Sequence, residues 1–327
     1  MNIRINVTAA VLLSVLSLPC ATIAAPSPAI SARHLNAATD TPLIVTVDAS
    51  KEQVNVMGRT NPKIPAMPNL AVKPNIVRGY VYDSHGKPLK GAVIGVRSSS
   101  AGGFYSGASA KTDTKGYYEV RAPWGAAHFY CAGYVMDYGD GIAALGLHPA
   151  DGDTDSFATS TGVVKNWVLL PYGVADRAGV QENPHYSGNY YGGTVILNYN
   201  TDSDNSTALS AGSTIELTLT PQGSLIDGSP ARTIVIRRPV KETLLGSLYI
   251  NNIPITEYKV SAKIAETGAE LHMKETGMYS GQAFGLDPKE ATGEATLLLK
   301  AGDAKANMVT AAHGNWTEFQ ISLSRGE

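Results

Sequence analysis

Three groups of residues in this 327-residue chain have types and spacings that could do chemistry: serines flanked by glycines, alternating carboxylates, and tyrosines set in glycine-rich stretches. The serines lie in Gly103-Phe104-Tyr105-Ser106-Gly107 and Gly277-Met278-Tyr279-Ser280-Gly281. A nucleophile elbow requires Gly-x-Ser-x-Gly, and in both stretches the serine stands one place late. The seven histidines are scattered, with no His-Glu-x-x-His and no pair at helical spacing, so no zinc signature is present. Paired-carboxylate glycosidase chemistry needs two acids held about 5 to 9 Å apart, which sequence spacing alone does not establish.

The carboxylates alternate in Asp151, Asp153 and Asp155, and again in the Asn200, Asp202, Asp204 stretch, as at the start of a loop that offers oxygen ligands to Ca²⁺. Neither run has the glycine and the bidentate glutamate that complete such a loop. A solvated polar turn is therefore the expectation, and Ca²⁺ held by Asp151, Asp153 and Asp155 is the alternative; no other cofactor is expected. Cys20 falls within an apparent leader, so Cys131 is the one thiol left, and its apolar strand-like setting points to a buried hydrophobe rather than a nucleophile.

The tyrosines stand in Tyr105-Ser106-Gly107, Tyr186-Ser187-Gly188, Tyr190-Tyr191-Gly192-Gly193 and Tyr279-Ser280-Gly281. A tyrosine offers a flat apolar face and a hydroxyl at low entropic cost, which suits sugar rings and protein surfaces alike. Tyr105, Tyr186, Tyr190, Tyr191 and Tyr279 are accordingly the candidate ligand-binding residues. The alternative is that these rings fold over the ends of a sandwich.

The elements that must position these residues read as strands. In Thr214-Ile215-Glu216-Leu217-Thr218-Leu219-Thr220 the apolar residues take every other place, as do Tyr258, Val260, Ala262 and Ile264, and Phe319, Ile321 and Leu323. From Asn75 to Met136, Val77-Arg78-Gly79-Tyr80-Val81-Tyr82-Asp83 leads into Gly86-Lys87-Pro88-Leu89-Lys90-Gly91-Ala92, and Thr112-Asp113 leads through Gly116 to Tyr118-Glu119-Val120 and Pro123-Trp124-Gly125.

This stretch resembles the carboxypeptidase regulatory-like (transthyretin-like, prealbumin-like) domain family, whose recurrent pattern is G-x-V-x-D, G-x-P-L-x-G-A, T-D-x-x-G-x-Y-x-V and P-x-G. The resemblance implies a β-sandwich that scaffolds more often than it catalyses, and no catalytic residue is carried over from it. Ile253-Pro254-Ile255-Thr256-Glu257-Tyr258-Lys259-Val260 resembles a further element of the same superfamily, with Thr256 where glycine is usual. Starch-binding-like modules share this architecture, so the resemblance also points toward carbohydrate, by analogy of fold.

Composition fits this reading. Hydrophobic residues make up 43% and charged residues 17%, and 33 glycines and 18 prolines supply turns, as in a β-rich globular chain. The formal charge of -2 leaves no large basic field for nucleic acid. Residues 1–24 read as a signal peptide, with Arg4 before an apolar run and small residues at Ala21, Ala24 and Ala25. Beyond it no apolar stretch reaches the ~20 residues of a membrane span.

The expected organisation is all-β, with two tandem antiparallel β-sandwich, transthyretin-like domains after the signal peptide and a Pro-rich linker. Residues 25–74 form the linker, with one strand at Leu43 to Asp48 that adds to the edge of a later sheet; residues 75–171 form the first sandwich and 172–327 the second. The expected function is that of a secreted or periplasmic, non-enzymatic protein binding carbohydrate or a surface protein through its loops. The alternatives are a hydrolase with a site between the domains, or a structural or adhesive surface component.

Overall fold

The computed structural model describes residues 41–100, 103–202, 204–278, 280 and 283–326. The expected signal peptide and the linker before residue 41 lie outside them. The N-terminal part carries β1 (Leu43–Thr46) and β2 (Gln53–Asn55). Next come β3 (Ile76–Asp83), β4 (Val93–Ser100), β5 (Phe104–Lys111), β6 (Tyr117–Arg121), β7 (Ala126–Tyr138), β8 (Gly141–Pro149), β9 (Phe157–Ala158), β10 (Val163–Val164) and β11 (Trp167–Leu169). A short helix, α1 (Arg177–Glu182), leads to β12 (Gly193–Asn200), β13 (Thr214–Pro221), β14 (Ile234–Pro239), β15 (Leu245–Ile253) and β16 (Glu257–Ile264). The chain closes with β17 (Leu271–Thr276), β18 (Gly285–Asp287), β19 (Glu290–Thr292), β20 (Glu294–Leu298) and β21 (Phe319–Arg325).

The chain is all-β, as the alternation requires. Strands β3 to β11 make a nine-stranded sheet in the order β10-β3-β11-β8-β7-β4-β5, with β6 on β3 and β9 on β7. The later strands, joined by β1 and β2, make two six-stranded sheets, β1-β14-β13-β16-β20-β18 and β19-β17-β21-β12-β15-β2. Ile215, Leu217 and Leu219 of one, and Val195, Leu197, Ile321 and Leu323 of the other, are buried in one apolar cluster, so these two sheets face each other as a sandwich. Val77, Ile94, Val96, Tyr118, Leu147 and Trp167 of the nine-stranded sheet belong to the same cluster. The pairing is antiparallel except at β1–β14, β10–β3, β11–β3, β12–β21 and β15–β2, which are parallel and join strands distant in sequence.

Two glycines in the turns of the nine-stranded sheet have a common local cause. Asp83 Oδ1 accepts from the amides of His85 and Lys87, and Asp113 Oδ1 accepts from those of Lys115 and Tyr117. Each aspartate thus organises a tight turn that passes through a left-handed residue, Gly86 at φ 82° and Gly116 at φ 72°, where a side chain would be strained.

The Pro-rich stretch before β3 is attached to the body. Ile64 and Met67 pack on Val168, Leu170 and Tyr191. Asn61 Oδ1 accepts from the amide of Val174 at 2.8 Å. The expected strand at Leu43 is β1, and it does extend a later sheet; β2, which does the same for the opposite sheet, is too short for its alternation to show in the sequence.

Residues between β20 and β21 lie across β7 and β8. Ala132 N donates to Val309 O at 3.2 Å and Ala144 N to Asp303 O at 3.1 Å. A Cβ on Gly146 would stand 1.8 Å from His313 O, so glycine at this position is what lets the segment approach the strand.

Candidate functional site

The outer face of β4, β5 and β7 carries rings and hydroxyls that the core leaves unused. Along β4, Val96 and Ser98 point inward and are buried, so Arg97 and Ser99 take the solvent side. Cross-strand register sets Ser99 opposite Tyr105 of β5 and Ala126 of β7, and Ala126 opposite Ala158 of β9. Arg97 lies between Gly107 and His128 in the next row. Its guanidinium stacks 5.2 Å from the centre of the Tyr130 ring. A Cβ on Gly95 would stand 2.6 Å from that ring, so glycine makes the room in which it lies. Burial pushes the Tyr130 phenol above its ordinary range, and the ring stays neutral.

At one end of this face Trp124 is 71% exposed, beside a groove of about 480 Å³ that Ser99, Ser156, Phe157 and Ser160 help to line. Thr159 fixes the turn that presents the indole, because its hydroxyl accepts from Gly125 N at 3.0 Å and donates to Gly125 O at 3.1 Å. Gly125, at φ 133°, allows the chain to enter β7 from that turn. Phe157 is backed by Phe129, ring centres 5.4 Å apart, and Phe129 meets the buried Trp167 edge-on at 5.2 Å, so the groove rests on the core. The hydroxyls of Ser99, Ser156 and Ser160 make no hydrogen bond with the described residues. The groove therefore offers a flat indole, an apolar floor and three exposed serines.

Of the tyrosines singled out by sequence, Tyr105 is 70% exposed and stands on this face, and Tyr186 is 50% exposed near α1. Tyr190 and Tyr191 correct the expectation of exposed loop rings, because both are buried. Tyr190 donates to Pro184 O at 2.9 Å and Tyr191 to Leu147 O at 3.3 Å, so both hydroxyls are spent on the backbone. Burial pushes the Tyr190 phenol up to about 12. Tyr279 lies outside the described residues. Trp124 was not distinguished from the turn around it in the sequence; a tryptophan between proline and glycine at a strand entry was the available signal.

The acidic loop holds an ammonium in the place considered for a metal. Lys165, buried on β3's side of the loop, directs Nζ to Asp151 Oδ2 at 2.8 Å, Asp151 Oδ1 at 3.0 Å, Asp153 O at 2.9 Å and Asp153 Oδ2 at 3.3 Å. Asp155 enters the loop through its amide, which donates to Asp153 Oδ1 at 2.8 Å. Ca²⁺ would have to displace this ammonium. Among the described residues no group of three or more His, Cys, Asp or Glu is placed to hold a metal ion.

A hydrolytic constellation has its nearest counterpart where the turn after β3 meets the β13–β14 loop. Ser229 Oγ lies 3.0 Å from His85 Nε2 and donates to Asp227 Oδ2 at 3.0 Å; Ser84 also donates to that carboxylate. A catalytic aspartate holds the histidine nitrogen that faces away from the serine. Here Asp227 accepts a hydrogen bond from the serine hydroxyl itself and lies 4.0 Å from the same Nε2. The imidazole is not oriented as a base, and the cluster ties two loops together. Burial also pushes the Cys131 thiol up, away from thiolate chemistry.

No family model matches the chain, and no curated protein matches it. Among solved structures it is similar to the Bacillus anthracis TIE protein, with 8% identity and a TM-score of 0.27 over 77% of this chain and 34% of that one. It is similar to the shaft pilin SpaA from Lactobacillus rhamnosus GG, with 11% identity and a TM-score of 0.20 over 79% of this chain and 99% of the pilin. It is also similar to a cross-linked adhesin from Mobiluncus mulieris, with 11% identity and a TM-score of 0.23 over 73% and 86%. The chain thus spans about a third of the length of the first of these.

Proposed function

We propose that this protein is a non-enzymatic, extracellular surface component of adhesive type, which holds a carbohydrate against Trp124 on the outer face of its nine-stranded sheet. The observation that carries the reading is the exposed indole beside the groove, with the exposed serines Ser99, Ser156 and Ser160 around it. The C–H-bearing face of a sugar ring packs on an indole, while short hydroxyls exchange hydrogen bonds with its equatorial oxygens. Tyr105, two strands from Ala126 on the same face, extends the contact along a chain of sugars. The groove presents no acid pair for glycosidic cleavage, and the ligand is retained rather than turned over.

A glycan array probed with the exported chain and with Trp124→Ala tests this. Binding that falls at least tenfold in the variant, with an unchanged unfolding midpoint, supports it. An array on which the parent and the variant behave alike overturns it.

A further inference from the structure

Natural sheets guard their open edges, because a row of unpaired N–H and C=O groups recruits other strands. In this protein the strands that end a sheet at β10, β1, β18, β19 and β2 hold four residues or fewer. β6, which among the described residues pairs only with β3, holds five, and β5 is the longest: it ends the nine-stranded sheet over eight residues. It contains no proline, and its register with β4 runs without a bulge from Val93–Lys111 to Ser100–Phe104. Its charge is confined to Lys111. Among the described residues its backbone pairs only with β4. Length, an unbroken register and lack of charge, each of which proteins normally avoid at an edge, coincide here.

We propose that the β5 edge pairs with β5 of a second copy of this chain, antiparallel and about a two-fold axis at Gly107. Residues facing each other across a ladder share a side of the sheet, so a register that keeps solvent-facing residues together must pair odd positions with odd ones. The uncharged stretch of β5, residues 104–110, is centred on Gly107. That register sets Gly107 opposite Gly107, Tyr105 opposite Ser109, and Ser106 opposite Ala108, and leaves Lys111 outside the paired residues. No like charges meet, and the axis carries no side chain to hold the strands apart. The two outer faces become one continuous surface with a Trp124 groove on each half, so a polymeric ligand could engage both copies at once. Dimerisation and ligand binding are separate properties, and either can fail without the other.

The test uses the full exported chain in sedimentation velocity, with two substitutions at the axis. Gly107 lies outside the left-handed region, and a Cβ there meets its nearest neighbours at 3.6 and 3.9 Å, so the fold accommodates a side chain. The parent is expected to form a dimer whose fraction rises with concentration. Gly107→Lys, which places two ammonium groups face to face, is expected to raise the dissociation constant at least tenfold. Gly107→Cys is expected to give a covalent dimer on oxidation, because Cα atoms directly opposite in an antiparallel ladder lie about 4.5 to 5.5 Å apart, within disulfide reach. Tyr105→Cys, set off from its own copy by the register, is expected not to cross-link. A parent that stays monomeric to its solubility limit overturns the proposal. So does a dimer that withstands Gly107→Lys and is not trapped by Gly107→Cys.

Discussion

The indole Nε1 of Trp316 donates to the backbone carbonyl of Tyr191 at 2.9 Å across 125 residues of sequence. Tyr191 in turn donates its hydroxyl to Leu147 O, so three distant segments are tied in series. Trp316→Phe keeps most of the packing but leaves a buried carbonyl without its donor. It should cost about 1–3 kcal/mol, read as a lower urea midpoint at unchanged slope.

Lys165→Met should destabilise the fold by on the order of 1–3 kcal/mol, below the usual cost of breaking a buried pair because Asp151 and Asp153 remain about half exposed. The parent's thermal midpoint should not move when Ca²⁺ or a chelator is added. A Ca²⁺-dependent rise in the parent would mean that the ammonium does not hold the loop.

His148 gives the stability a pH dependence. Burial, reinforced by the nearby charge of Arg177, holds its pKa down to about 4 against an ordinary 6.5, while Nδ1 lies 3.2 Å from the Tyr191 hydroxyl. The folded chain therefore keeps this imidazole neutral where the unfolded chain takes up a proton. Its contribution is complete above pH 6.5 and is lost as the pH falls toward 4, by up to about 3 kcal/mol. Urea midpoints measured between these limits should fall more steeply for the parent than for His148→Phe.

Gly146→Ala should cost about 3 kcal/mol or more, since the new methyl would meet the His313 carbonyl at 1.8 Å and neither backbone can yield. Gly223→Ala, with nothing within 4 Å of the added carbon, is the control and should stay within about 0.5 kcal/mol. Equal midpoints for the two variants would show that the segment before β21 does not rest on β8 as described.

The cores were legible because burial on one face of a strand writes period two into the sequence. Ile215, Leu217 and Leu219 show it, and each is buried. Leu43 was legible for the same reason. Tyr190 and Tyr191 were not, since nothing in Tyr-Tyr-Gly-Gly announces that Trp316 will close over that turn. The partner of Asp151 was hidden too: a lysine among apolar neighbours gives no sign that its ammonium will turn back to a loop 14 residues earlier. Trp124 is exposed because Thr159, 34 residues on from Gly125, holds its turn open, a relation that exists only in three dimensions.

The N-terminal strands have a consequence for the order in which the molecule can form. Arg238 donates to Ala49 O at 3.0 Å from 189 residues away, and Asn252 reaches Asn55 Oδ1 from 197. β1 and β2 are thus completed by strands made later, and at about 5–20 residues per second they must wait about 10 to 40 seconds for partners. Until then both late sheets lack an edge. Closing these two edges is a long-range step of the kind that slows the folding of β-proteins.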